Sequence, residues 1–148
     1  MPERNAELFR RVADMIEAHP ANYDQQAWLA TPDCKPPTSA LPECGTTCCI
    51  NGWGVWLSAT PEMHAKARIA GSDVGYFNKL IACLGQPVDS FALGAELFGI
   101  AQDEADWLFD CDWSPDWDPA KEDLTNAVAR ALRSFADGAP ILPEEAHA

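Results

Sequence analysis

Apolar residues recur at three- and four-residue steps along most of the chain, the mark of helices that bury one stripe. Over Glu3 to His19 the stripe is Leu8, Phe9, Val12, Met15, Ile16 and His19, with Glu7, Arg10, Arg11 and Asp14 off it. Pro20 stops this helix. From Ala21 to Thr47 the periodicity dissolves into a segment holding Pro32, Pro36, Pro37 and Pro42, whose fixed dihedrals and missing donors favour an irregular course. Tyr23 and Trp28 are the expected anchors of its first part. Thr46 or Thr47 then reads as the N-cap of a short apolar helix over Cys48 to Ser58, in which Gly52 and Gly54 imply that another backbone comes close. Further short helices are expected over Pro61 to Ile69 and Val74 to Leu84.

Ser90 caps a segment carrying Leu93, Leu97 and Phe98 and closed by Gly99. After Ile100 a second helix has Asp103 and Glu104 in its first turn and Ala105, Leu108 and Phe109 on its apolar side. Asp118-Pro119 is the start signal for a last helix, with the stripe Leu124, Val128, Leu132 and Phe135, ended by Gly138 and Pro140. No segment alternates with a period of two and no unit repeats. The expected class is therefore all-α: one compact bundle of five or six short helices with a long Pro- and Cys-containing loop, over residues 1–138, and a flexible acidic tail over 139–148.

Composition supports a packed core, since 47% of the 148 residues are hydrophobic and six Trp and six Phe are among them. The first residues, Met1-Pro2-Glu3-Arg4-Asn5, read as no signal peptide. The longest stretch without a formal charge, Cys44 to Pro61, contains Thr46, Thr47, Asn51, three Gly and a terminal Pro, a poor composition for a bilayer span. A cytoplasmic protein with reduced thiols and no membrane partner is the expectation.

Charge changes the picture more. The net charge is -13, and no Lys or Arg occurs between Lys79 and Lys121. That interval holds Asp89, Glu96, Asp103, Glu104, Asp106, Asp110, Asp112, Asp116 and Asp118. Such a field repels nucleic acid and anionic lipid and speeds encounter with a basic partner.

Four constellations have the residue types of chemistry. Cys34, Cys44, Cys48 and Cys111, with His19 or His64, are the fallback ligands for zinc, although no C-x2-C pair exists and the spacings match no standard zinc pattern. Buried, small apolar thiols are the plainer reading, and no metal or cofactor is assigned. Cys48 or Cys49 at a helix N-terminus, with His64 as base, has the elements of a thiol nucleophile but lacks an orienting third group, so no catalytic residue is assigned. Ser90 to Phe109 is spaced like a DNA-reading helix-turn-helix, yet the second helix opens Gln102-Asp103-Glu104-Ala105-Asp106, where carboxylates would meet phosphates. Direct nucleic-acid binding is excluded on that ground. Asp110, Asp112, Ser114, Asp116 and Asp118 fall at oxygen-bearing positions of a calcium-loop register, but Pro115 and Lys121 stand where the loop needs Gly and Glu.

The same acidic segment is interleaved with Trp107, Phe109, Trp113 and Trp117. Trp107 and Phe109 are expected in the core. Trp113 and Trp117 either cover the core or form a recognition patch, since Trp is enriched at binding hot spots. The candidate partner-binding set is Asp103, Glu104, Asp106, Asp110, Asp112, Trp113, Asp116 and Trp117.

At Cys44-Gly45-Thr46-Thr47-Cys48-Cys49-Ile50-Asn51-Gly52-Trp53 the chain resembles a group of small actinobacterial and actinobacteriophage proteins with a Cys-Gly-Thr-x-x-Cys-Ile-x-Gly-Trp signature. Phe98-Gly99-Ile100 and Trp107-Leu108-Phe109 extend the likeness, which covers residues 8–135. The resemblance implies a phage- or prophage-type accessory protein that acts by binding a host protein. Combined with the charge layout, the expected function is a non-enzymatic acidic interaction protein that docks a basic host surface through its Trp-rich region. A DNA mimic is a variant of that reading, and a Cys/His-centred zinc-binding protein or thiol enzyme is the alternative.

Overall fold

The computed structural model describes residues 3–27, 29–31, 46–85 and 90–143. Among these the protein is all-helical, with seven α-helices and one short 3-10 turn. The helices are α1 (Ala6–Ala18), α2 (Ile50–Ser58), α3 (Pro61–Ala67), α4 (Asp73–Leu84), α5 (Ser90–Phe98), α6 (Gln102–Leu108) and α7 (Leu124–Ala136). The class agrees with the periodicity, and the number exceeds the expected five or six. No helix among the described residues is long and apolar enough to cross a membrane.

The two most amphipathic helices, α1 and α7, form the most extensive pair. Leu8, Phe9, Val12, Ala13 and Ile16 face Val128, Ala129, Leu132 and Phe135 in one continuous core, and the rings of Phe9 and Phe135 meet edge to face at 6.1 Å. Asn5 caps α1 by accepting from the Leu8 N–H at 3.1 Å. Arg133 on α7 pairs with Asp14 at 2.9 Å and Glu17 at 2.6 Å, and Arg10 pairs with Asp137 at 2.8 Å. These pairs are exposed, so the apolar stripe and not the charge carries the stability of the helix pair.

The central element is α2, in which every residue from Ile50 to Trp56 is buried. Its cap is the Cys49 sulfur, which accepts from the Gly52 N–H at 3.3 Å, and not Thr46 or Thr47. The reason lies upstream. Thr47 and Ala30 exchange N–H···O bonds of 2.9 Å in each direction, Cys48 donates to Asn22 at 3.0 Å and Asp24 donates to Cys48 at 3.1 Å. This backbone pairing holds residues 46–48 extended and delays the helix. Trp53 completes the junction by donating its indole N–H to the Asn22 carbonyl at 2.9 Å.

Gly54 of α2 lies under the Phe98 ring of α5, where an added Cβ would come within 2.4 Å. The close approach foreseen at this glycine is therefore made by a ring rather than a backbone. Gly94 on α5 is the reciprocal position: a Cβ there would sit 2.2 Å from Asn51 Oδ1. On the other side of α2, Trp56 stacks on Tyr76 of α4 at 5.7 Å and contacts His64 of α3 at 4.6 Å. The order of packing is thus α3, α4, α2, α5, α6, with α1 laid across α2 and α5 and α7 held on α1.

Two boundaries depart from the sequence pattern. Asp118-Pro119 initiates a turn, in which Asp118 Oδ1 accepts from the Ala120 N–H and its carbonyl accepts from Lys121, and α7 begins only at Leu124 after the Asp123 cap. The Asp118 side chain satisfies the local amides so well that a tight turn competes with the helix. Beyond Gly138, Ile141 is buried and the Ala139 carbonyl accepts from Arg4 at 2.7 Å, so the packed unit reaches past 138. Residues 144–148 lie outside the described part.

Candidate functional site

The acidic segment is built on α6 and the loop that follows it. Ala105 and Leu108, three residues apart, point into the core, and Phe109 packs between Phe91 at 5.8 Å and Phe98 at 5.5 Å. With that face inward, Asp103, Asp106, Trp107 and Asp110 share the opposite one at spacings of three, four and seven. Trp107 is 45% exposed, which corrects its expected place in the core. The register of α6 allows one buried stripe, and Ala105 and Leu108 occupy it.

The loop is fixed from below by the segment after α1. Tyr23 donates its hydroxyl to Gln25 Oε1 at 2.8 Å, and Gln25 donates its amide to the carbonyls of Leu108 at 3.0 Å and Asp110 at 2.8 Å. These are end-of-helix acceptors that α6 cannot satisfy itself. Burial holds the Tyr23 phenol far above its ordinary range, so it remains a donor. Asp110 then turns the chain, accepting from the Asp112 N–H at 2.8 Å and the Trp113 N–H at 3.0 Å.

Trp113 packs half-buried against the core, and Trp117 stays 37% exposed. Two grooves of similar size flank the Trp107 and Trp113 side chains. One, of about 350 Å³, is lined by Asp106, Trp107, Asp110, Asp112, Trp113 and Ser114. The other, of about 330 Å³, shares Trp107, Trp113 and Ser114 and continues over Ala131, Phe135 and the Pro140 to Pro143 segment, with Asp116 and Arg130 at its rim. Both are more apolar than polar; the first is edged with three carboxylates and the second with one carboxylate and one cation.

The eight candidate partner-binding residues do not have equal freedom. Asp106, Asp110, Asp112 and Asp116 are exposed on the walls of the two grooves, while Trp117 is exposed but lines neither. Asp103 is exposed at the first turn of α6 and accepts from the Glu104 N–H at 2.9 Å. Glu104 is engaged in the framework, accepting from the Ala101 N–H at 3.0 Å and facing Arg4 at 3.5 Å. Trp107 joins the set that the sequence pattern omitted. Its spacing from Asp103, Asp106 and Asp110 was the available signal.

The cysteines separate. Cys34 and Cys44 lie outside the described residues. Cys48 is buried in the core, while Cys111 is exposed beside Asp110 and Asp112, the one group of metal-type donors brought together among the described residues. Asp116 and Asp118 do not join it, so the calcium-loop register does not close on itself. Burial pushes the Cys48 thiol well above its ordinary range. It pushes Cys49 up to about 11 even though the Gly52 and Asn51 amides pull the other way, so both thiols are protonated at neutral pH and the helix N-terminus does not activate them.

His64 is similarly occupied. Its Nε2–H donates to the Trp56 carbonyl at 3.0 Å, which leaves Nδ1 to accept the Tyr76 hydroxyl at 2.6 Å. Burial among Trp56, Tyr76 and Ala67 lowers its pKa from the ordinary value. A base needs a free nitrogen facing its acid, and both nitrogens here serve the α2–α3–α4 junction.

Comparison of the chain with protein-family models, with curated proteins and with solved structures finds no match.

Proposed function

We propose that this chain is a non-enzymatic interaction protein that engages a basic surface of a partner protein through the acidic, Trp-rich face of α6 and the 110–117 loop. The observation that carries the reading is the exposure of the Trp107 indole in a groove edged by Asp106, Asp110 and Asp112. Trp is enriched at binding hot spots, and an indole beside carboxylates suits a cation that is both paired and stacked. The resemblance to phage and prophage accessory proteins makes a host protein the natural partner. The buried, protonated thiols and the doubly bonded His64 give the thiol-enzyme alternative no comparable support.

The test is cross-linking of the protein to its partner in a host lysate at low salt, with mass spectrometry of the linked peptides. Cross-links should concentrate on residues 103–117, weaken with salt and disappear in the D106N/D110N/D112N variant. Equal capture by wild type and variant would overturn the proposal. Release of the partner by duplex DNA would assign the DNA-mimic form of the same reading.

A further inference from the structure

The acidic groove does not stand alone, because Trp107 and Trp113 are also walls of the second groove. Two recesses of about 350 and 330 Å³ with a shared wall offer two adjacent side-chain berths that differ in their carboxylates, three around the first and Asp116 alone on the second. One presents Asp106, Asp110 and Asp112 around an exposed indole. The other presents Ala131, Phe135, Ile141 and Leu142 behind the same tryptophans. Its rim cation, Arg130, is already held by Glu122 and by the Asp116 carbonyl at 3.3 Å, so it is not a free counterion for a ligand carboxylate.

Resting on the reading just given, we infer that the ligand is a short extended polypeptide segment carrying an arginine or lysine next but one to a large aliphatic residue. The cationic side chain enters the acidic groove and lies against Trp107, and the aliphatic one enters the apolar groove across the shared tryptophan wall. In an extended chain residues i and i+2 project to the same side roughly 7 Å apart, which suits two berths divided by an indole. Charge complementarity sets the first position. A guanidinium meets it best, since it stacks on an aromatic face and bonds carboxylates through two N–H groups. Burial of the aliphatic side chain supplies the discrimination that charge alone lacks, since a long-range field attracts any cation.

The experiment titrates the folded protein with the blocked peptides acetyl-Ser-Arg-Ala-Leu-Ser-amide, its Leu→Ser form and its Arg→Glu form, reading the tryptophan indole N–H signals by NMR at low salt. The Arg/Leu peptide should shift the signals of Trp107 and Trp113, and the Leu→Ser form should bind roughly tenfold more weakly, the value of burying one aliphatic side chain. The Arg→Glu form should not bind. In L142S, which alters a half-buried wall of the apolar groove without opening the core, the Leu peptide should lose several-fold more affinity than the Leu→Ser peptide. Equal binding of the Leu and Ser peptides would overturn the two-berth inference and leave the acidic docking surface standing. Absence of binding by every arginine peptide, or binding unaltered in D110N/D112N, would overturn both.

Discussion

Tyr76 donates its hydroxyl proton to Nδ1 of His64 across 2.6 Å. That bond exists only while the imidazole is neutral, because a protonated ring has no acceptor. Burial lowers the His64 pKa from its ordinary 6.5, so the unfolded chain takes up the proton first as pH falls. The His64 contribution to stability is therefore complete above 6.5 and is lost as pH drops below it. Melting temperatures between pH 7.5 and 5.5 should decline, and His64→Gln, although less stable throughout, should flatten the decline. An unchanged slope in the variant would refute the assignment.

Gly94 allows α5 to reach α2 where the Asn51 amide is buried. Gly94→Ala would place a methyl 2.2 Å from Asn51 Oδ1 and 2.6 Å from the Phe109 ring, and should cost roughly 1–3 kcal/mol as the helices are forced apart. Gly71→Ala meets nothing within 4 Å and should be neutral or slightly stabilising. Urea unfolding of the two variants checks the contrast, which sequence alone does not suggest.

Gln25 is the brace of the acidic loop. Gln25→Ala removes the donors to Leu108 and Asp110 and the acceptor for Tyr23, and should cost roughly 1–3 kcal/mol because these partners are left without a bond. Amide exchange at Asp112 and Trp113 should quicken beyond the global change, since their partner Asp110 loses its anchor. Uniform acceleration along the chain would show that Gln25 merely stabilises the whole.

Site-resolved alkylation tests the fate of the thiols. Among the described cysteines Cys111 is the exposed one and should react before the others. Cys48 and Cys49, buried and held protonated, should react roughly a hundredfold more slowly and catch up in denaturant. Fast native labelling of Cys49 would reopen the nucleophile reading.

Much of this was legible wherever one rule governed a segment. The stripes of α1 and α7 are set by period alone, and the short helices expected over Pro61 to Ile69 and Val74 to Leu84 form as α3 and α4 with ends within two residues. The failures occur where two rules compete at the same residues. Thr47 can cap a helix or pair in extended form, and its partner Ala30 decides, seventeen positions away. Asp118-Pro119 suits a helix start and a turn equally, and the turn closes on its own amides first. Trp107 is apolar enough for the core, yet α6 is a short helix with a single inward stripe, and the residue was displaced by Ala105 and Leu108. Of the candidate site, the charge was visible in the sequence, while the second groove depends on Phe135 and Ile141, which approach Trp113 only in the folded chain.

The pairing of α1 with α7 has a consequence for how the protein is made. More than a hundred residues separate the two stripes, and Arg4 bonds the Phe135 and Ala139 carbonyls across the same interval. During synthesis Leu8, Phe9, Val12 and Ile16 emerge long before Val128, Leu132 and Phe135, so the part of their sticky side that α2 and α5 do not cover waits on the ribosome for α7. Release of α7 is then the event that commits the chain, and translation that stalls before Leu124 leaves a product prone to clump or to be degraded.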